Sequence, residues 1–195
     1  AVIFGAMGYI SVQGKDSAMT PDETPDFIVV LGAQVQDDGP SLTLKKRLDK
    51  ALELGADGVI NGKEQNAVQA VLDLTDGFGC DLVIETAGTE FTTRQAIEMV
   101  HKGATIVLVG YSKSGEMTLP VSLALDKELT FKTVFRYRHI YPMAIDAVAS
   151  GKINLKGVVT NIFDFDDIQN AMDKSIADKA NIVKAVVKIA DETRL

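Results

Sequence analysis

The feature that most constrains the fold is a switch in hydrophobic period that repeats along the chain. Continuous apolar runs at 27–33 (FIVVLGA), 81–88 (DLVIETAG) and 104–110 (ATIVLVG) alternate with segments whose apolar residues recur at helical spacing. Strands that are apolar on both faces are typical of parallel sheets covered by helices. We therefore predict an α/β fold with a doubly wound, mostly parallel, three-layer Rossmann-like sheet, in which 27–33 is a central strand.

The remaining elements follow from the same pattern. It predicts a helix that begins at Ser41 and an extended edge strand at 117–125 (MTLPVSLAL), and we expect order to begin at Phe27. Residues 1–26 form an apolar segment and linker, and residues 27–195 form a single domain. Further helices are predicted at 66–77, 92–103, 141–151 and 164–177, and further strands at 58–61, 129–138 and 181–189.

The opening AVIFGAMGYI is too short to span a bilayer, which takes about 20 helical residues. Two interpretations stay open. It is the tail of a removed membrane segment, or it is a first strand or frayed terminus.

Composition excludes several function classes. The formal net charge of −7 argues against a nucleic acid partner, because clustered Lys and Arg bind phosphate backbones. A single cysteine, Cys80, excludes an internal disulfide and a thiolate-rich zinc site, and it indicates a reducing compartment. With only His101 and His139 and no metal-ligand spacing, we predict no metal. We expect a cytoplasmic protein, or a membrane-tethered envelope protein if an upstream helix was removed.

Small residues end three of the apolar runs, at Gly32–Ala33, at 86–88 and at Gly110–Tyr111. In a doubly wound sheet the ligand crevice lies outside the carboxyl ends of the strands, so these positions are candidates for a flat ligand. The alternative is that glycine only ends the strands. Gly32 is not followed by the second and third glycines of a dinucleotide fingerprint.

From Arg47 to Ile189 the sequence resembles the coenzyme-binding half of the zinc-dependent medium-chain dehydrogenases, in their sorbitol or polyol branch. The segments that carry the resemblance are RLDKALELGADGVIN, CDLVIETAGTEFTTRQAIEMVHKGATIVLVGYS and FRYRHIYPMAIDAVASGKINLKGVVTNIFDFDDIQNAMD. It implies binding of NAD or NADP, with Arg136 facing the substrate, and we expect this binding to be weak because the glycine fingerprint is missing. The implied cofactor-binding residues are Arg47, Thr86, Gly88, Val109, Gly110, Val134, Phe135 and Lys184. For Arg47 and Lys184 the alternative is an ordinary solvated charge.

Residues 1–50 instead resemble the start of the vancomycin high-temperature exclusion family of envelope proteins, through PDFIVVLGAQVQDDGPSLTLKKRLDKALEL. The chain thus looks composite, joined within RLDKALELG. Three hypotheses stay open: a partial dinucleotide-binding domain that does not transfer hydride by itself, an envelope-associated protein, or an inactive chimera. An enzyme would require the zinc-bearing catalytic domain, which has no counterpart in these residues.

The resemblance also implies a homodimer, because dimers of that family extend one sheet across the region of 117–125. Here the segment is apolar, carries Pro120 and contains no lysine between Met117 and Leu125. We therefore expect self-association through residues 117–125. The alternative is an edge covered by the chain's own N-terminal segment.

Overall fold

The computed structural model describes residues 2–6, 8–9, 28–32, 49–53, 56–62, 64–178 and 181–190. A seven-stranded sheet, parallel except at one short strand, is flanked by helices. Its strands are β1 (Val2–Ala6), β2 (Gly8–Tyr9), β3 (Ile28–Gly32), β4 (Gly58–Val59), β5 (Cys80–Glu85), β6 (Val100–Leu108) and β7 (Thr130–Thr133). The helices are α1 (described at 49–53), α2 (Ala67–Leu74), α3 (Glu90–Met99), α4 (Val121–Asp126), α5 (Tyr141–Ala149) and α6 (Ile168–Ala177). The prediction of a Rossmann-like parallel sheet is confirmed.

Strand β3 lies in the centre of this sheet, as its continuous apolar run predicts. It pairs in parallel with β1 on one side and with β5 on the other, where Val29 lies opposite Val83. Both of these valine side chains are fully buried. The central position of FIVVLGA is therefore confirmed.

The N-terminal residues belong to the same sheet. Strand β1 pairs with β3 from Val2, opposite Ile28, to Ala6, opposite Gly32. The opening residues thus include a strand, as one of the two interpretations expected, whereas the origin of these residues in a removed membrane segment stays a prediction. The expectation that order begins at Phe27 is wrong for residues 2–6 and 8–9, because β1 pairs its backbone groups along β3 by joining the existing sheet.

Residues 117–125 do not form an edge strand, so that expectation is wrong. Pro120 stands at the N-cap of helix α4, a position that needs no backbone N–H donor. Leu119, Leu123 and Ala124 pack against the hydrophobic core, whereas Val121 and Leu125 are exposed. Helix α4 directs Leu123 and Ala124 toward the core, Leu119 packs on it just before the N-cap, and the edge strand next to β6 is instead β7.

The core lies between the sheet and helices α2 and α3. Its fully buried members include Val71 of α2, Ile97 and Met99 of α3, and Ile106 of β6. This packing fixes α3 against the ends of β5 and β6, and so it positions the loops that follow those two strands.

The C-terminal residues form a second, two-stranded sheet. Strands β8 (Asn161–Asp164) and β9 (Ala185–Lys188) pair in parallel, with Asn161 opposite Ala185, and α6 packs on them. The chain enters α6 through a 3-10 turn at Phe165–Asp167. The sequence pattern predicts α6 and β9 but not β8, whose four residues are too few to set a period.

Candidate functional site

Strands β5, β6 and β7 end side by side at one edge of the main sheet. Glu85 lies opposite Leu108, and Leu108 lies opposite Thr133. The next residues continue the ladder: the backbone N–H groups of Val109 and Gly110 both donate to the carbonyl oxygen of Glu85, at 2.8 and 2.9 Å. The N–H of Val134 likewise donates to the carbonyl oxygen of Leu108 at 2.9 Å.

The loops after β5 and β6 approach each other closely. Gly88 has φ +67°, a conformation that favours glycine, and a Cβ atom there would lie 2.5 Å from the carbonyl oxygen of Tyr111. A Cβ at Gly110 would collide with the backbone nitrogen of Gly88. Only glycine therefore fits at either position, so these two glycines do more than end their strands.

Exposed apolar and aromatic side chains continue this edge beyond β6 and β7. The rings of Tyr111 and Phe135 lie 6.0 Å apart, and both are more than 70% exposed. The guanidinium of Arg136 lies over the Phe135 ring, 5.0 Å from its centroid. Val109 and Val134 are also exposed here. This edge therefore presents a flat apolar surface next to the backbone of the strand ends and the guanidinium group of Arg136.

The structure brings together seven of the nine residues that the resemblance implies: Thr86, Gly88, Val109, Gly110, Val134, Phe135 and Arg136. Lys184 lies elsewhere, directly before β9, where its carbonyl oxygen accepts hydrogen bonds from the backbone N–H groups of Thr160 and Asn161. Arg47 lies outside the described residues.

The carboxyl end of β3 is paired by the chain itself. Gly8 of β2 lies opposite Gly32 in an antiparallel register. Ala33 lies outside the described residues. The described part of the crevice is therefore formed by the ends of β5, β6 and β7.

Glu85 is a site residue that the sequence analysis did not single out. Its side chain is fully buried at the end of β5, and its Oε1 accepts hydrogen bonds from the backbone N–H groups of Ala87 and Gly88, at 2.8 and 2.9 Å. The hydroxyl of Thr92 donates to the same oxygen at 2.8 Å. The available signal was an acid inside an apolar run, directly before a turn of small residues.

The part of the chain that the structure describes offers neither a metal-binding cluster nor a membrane-spanning helix. There, no three His, Cys, Asp or Glu side chains are grouped so that they could hold a metal ion. The described helices include none with the length and apolar character needed to cross a bilayer.

Comparison with known proteins decides the family. A family model described as zinc-binding dehydrogenase matches residues 43–150, more than half of the chain. The chain belongs to the zinc-binding dehydrogenase family. This confirms the resemblance to the coenzyme-binding part of alcohol and polyol dehydrogenases.

Two curated members of the zinc-binding dehydrogenase family show how much of a relative this chain covers. An uncharacterized zinc-type alcohol dehydrogenase-like protein of Escherichia coli (strain K12) is 40% identical over 148 residues, 76% of this chain and 42% of that protein. Sorbitol dehydrogenase of Bacillus subtilis (strain 168) is 32% identical over 141 residues, 72% of this chain and 40% of the enzyme. The chain thus spans less than half the length of these relatives and is a partial zinc-type alcohol or polyol dehydrogenase-like domain.

A solved structure agrees with this family assignment. An oxidoreductase/dehydrogenase of unknown specificity from Escherichia coli is 36% identical, with a TM-score of 0.67 over 85% of this chain and 44% of that one.

The family takes its name from a zinc ion, but no group of side chains among the described residues fits such an ion. No chemistry is therefore assigned to a metal here. Whether the chain binds a metal stays a prediction. The resemblance of residues 1–50 to the envelope family also stays a prediction.

Proposed function

We propose that the edge formed by the ends of β5, β6 and β7 is the nicotinamide side of a dinucleotide-binding groove, in a partial domain of an alcohol or polyol dehydrogenase-like protein. The observation that carries the proposal is the close approach of Gly88 and Gly110, which brings the backbone of two strand ends together beside exposed apolar side chains. Membership of the zinc-binding dehydrogenase family supports the choice of ligand.

Each part of this edge suits one part of such a cofactor. The exposed side chains of Val109 and Val134 offer apolar contact to a flat ring, and backbone carbonyl groups at 86–88 can accept from an amide at its side, since the N–H groups of Ala87 and Gly88 already donate to Glu85. Phe135 and Arg136 extend the surface toward the position of a substrate. When bound, the nicotinamide would supply hydride chemistry, and these residues would hold and orient it.

We further propose that binding by this chain is weak. The sequence after Gly32 does not carry the glycines that open a helix onto the pyrophosphate. Each charge-assisted hydrogen bond of this kind contributes about 1.5–3 kcal/mol. Losing such contacts places the expected dissociation constant in the millimolar range, and the preference between NAD and NADP stays open.

The proposal is tested by titrating the labelled full chain with cofactor and monitoring the titration by two-dimensional NMR. NADH and NADPH are added up to concentrations on the order of 10 mM, and saturable shifts are expected at the amides of Gly88 and Gly110. Val109→Glu, which places a negative charge on the groove, is expected to abolish these shifts. Ile153→Glu is the matched control, because Ile153 is exposed but lies outside this edge.

Two results would contradict the proposal. One is the absence of any saturable shift with either cofactor. The other is a set of shifts that Val109→Glu and Ile153→Glu reduce equally.

A further inference from the structure

Among the described residues Glu85 is the one acidic residue whose side chain is fully buried, and its carboxylate accepts hydrogen bonds from three donor groups. Oε1 accepts from the N–H groups of Ala87 and Gly88 and from the hydroxyl of Thr92, and Oε2 lies 3.1 Å from the N–H of Gly88. A carboxylate offers acceptors only, so it satisfies this set of donors completely. An apolar side chain would leave the buried N–H of Gly88 without its partner, and such a group is costly.

The same residue joins the two loops that form the proposed groove. Its carbonyl oxygen accepts from the N–H groups of Val109 and Gly110, while its side chain holds the turn at 86–88. A Cβ placed on Gly110 would also lie 2.6 Å from Oε2. The main chain of Glu85 therefore fixes one wall of the edge, and its carboxylate fixes the other.

Thr92 anchors the carboxylate from outside the strand. It lies in the first turns of α3, is nearly fully buried, and donates its hydroxyl to Glu85 at 2.8 Å. Thr89, the N-cap of α3, accepts from the backbone N–H of Thr92 through its own hydroxyl. The position of the turn thus depends on the start of α3 through one hydrogen-bonded chain.

We propose that Glu85 is the positioning residue of this groove: its buried carboxylate, held by Thr92, sets the backbone of the 86–88 turn against which the nicotinamide end of the cofactor binds. This inference rests on the proposed function. Glu85 itself does not touch the ligand. It acts through the backbone of Thr86–Gly88, and its effect therefore appears in cofactor affinity as well as in stability.

Three variants of the full chain separate positioning from stability. Glu85→Gln keeps the shape but puts an amide donor where an acceptor faces the N–H of Gly88. Thr92→Val keeps the side-chain shape and removes the hydroxyl that donates to the carboxylate, together with its contacts to the hydroxyl and carbonyl oxygen of Thr89. Thr93→Val is the matched control, because Thr93 is equally buried one residue further along α3 and donates instead to the carbonyl oxygen of Thr89 and to Met117.

The readouts are the urea midpoint of unfolding and the NADH dissociation constant from the NMR titration. Loss of one buried hydroxyl should lower the midpoint of Thr92→Val and Thr93→Val alike. Only Thr92→Val and Glu85→Gln should also raise the dissociation constant, by at least about threefold. If Glu85→Gln does not fold, the comparison of Thr92→Val with Thr93→Val decides.

Equal NADH affinity in Thr92→Val, Thr93→Val and the wild type would overturn the inference and leave the proposed function intact. If the wild type itself shows no saturable binding of NADH, the proposed function and the inference both fail.

Discussion

Lys127 donates a 2.8 Å hydrogen bond from its Nζ to the carbonyl oxygen of Val100, where helix α3 gives way to strand β6. The same Nζ donates to the carbonyl oxygens of Ile97 and Glu98, at 3.0 and 2.8 Å. The last carbonyl groups of a helix have no intrahelical partner, and an ammonium group has three donors to offer them. Lys127 therefore caps α3 from a distant part of the chain.

Substitution of Lys127 tests how much this cap contributes to the free energy of unfolding. Lys127→Met keeps much of the side-chain length but removes all three donors, so we expect it to lower the free energy of unfolding by about 1–3 kcal/mol. Urea denaturation measures the change. Lys132→Met is the control, because Lys132 lies exposed on β7, and its effect should stay within about 0.5 kcal/mol. Equal effects of the two substitutions would contradict the role of Lys127.

The end of α3 also marks a limit of sequence reasoning. The helical period of residues 92–103 predicts a helix, and the helix is there, but it ends at Met99 instead of Gly103. What ends it is the side chain of Lys127, together with a hydrogen bond of 2.7 Å from the N–H of Gly103 to the carbonyl oxygen of Lys127. Contacts between residues so far apart in sequence leave no local pattern.

The buried strands and the edge at which they end were predictable for a simpler reason: a continuous apolar run has one stable environment, the inside of a covered parallel sheet. Glu85 was not predictable in this way. Its burial depends on donors from the turn at 86–88 and from Thr92, and these are known only once α3 is placed on the sheet. Residues 117–125 were predicted wrongly because nine residues with a central proline suit a short edge strand as well as a short helix.

The contact between Gly88 and Gly110 yields a second prediction. Gly110→Ala would place a Cβ against the backbone of Gly88 and against Glu85, neither of which has room to move, so we expect a loss of about 1–3 kcal/mol in the free energy of unfolding. Gly58→Ala is the matched control, since a Cβ on Gly58 meets nothing within 4 Å. Urea denaturation of both variants makes the comparison, and a Gly110→Ala protein as stable as Gly58→Ala would refute the close approach.

Cys80 yields a prediction about thiol chemistry. Its side chain is fully buried, its Sγ donates to the carbonyl oxygen of Met99 at 3.6 Å, and burial raises the pKa of the Cys80 thiol to about 12. The native chain should therefore react with iodoacetamide only as fast as it unfolds, since the thiolate is the nucleophile. Mass spectrometry over time, with and without urea, measures this, and rapid labelling of the folded chain would rule it out.

The same pKa predicts how stability changes in alkali. The folded thiol keeps its proton up to about pH 12, whereas an unfolded thiol loses it at about pH 8.5. The stabilisation of the folded state is therefore complete below about pH 8.5 and is lost as the pH rises toward about 12. Between pH 8 and pH 10 the wild type should lose about 2 kcal/mol more than Cys80→Ala. Burial lowers the pKa of Lys127, and the charges of Lys127 and Cys80 interact, so the same comparison on a Lys127→Met background separates the thiol from the lysine. Parallel pH profiles would contradict the prediction.

Self-association through residues 117–125 stays a prediction, and the structure changes its form from strand pairing to helix packing. Val121 and Leu125 lie one helical turn apart on α4 and are 62% and 72% exposed, so they form an apolar stripe directed away from the core. Burying both stripes across a two-fold axis would remove this surface from water, and a C2 contact needs only one self-complementary patch. We therefore expect a dimer at concentrations in the tens of micromolar, measured by light scattering.

Val121→Lys should convert this dimer to a monomer, whereas Ser122→Lys, which adds the same charge to an exposed polar position on α4, should leave it dimeric. A wild-type monomer at these concentrations, or dimers in both variants, would show that α4 does not mediate association.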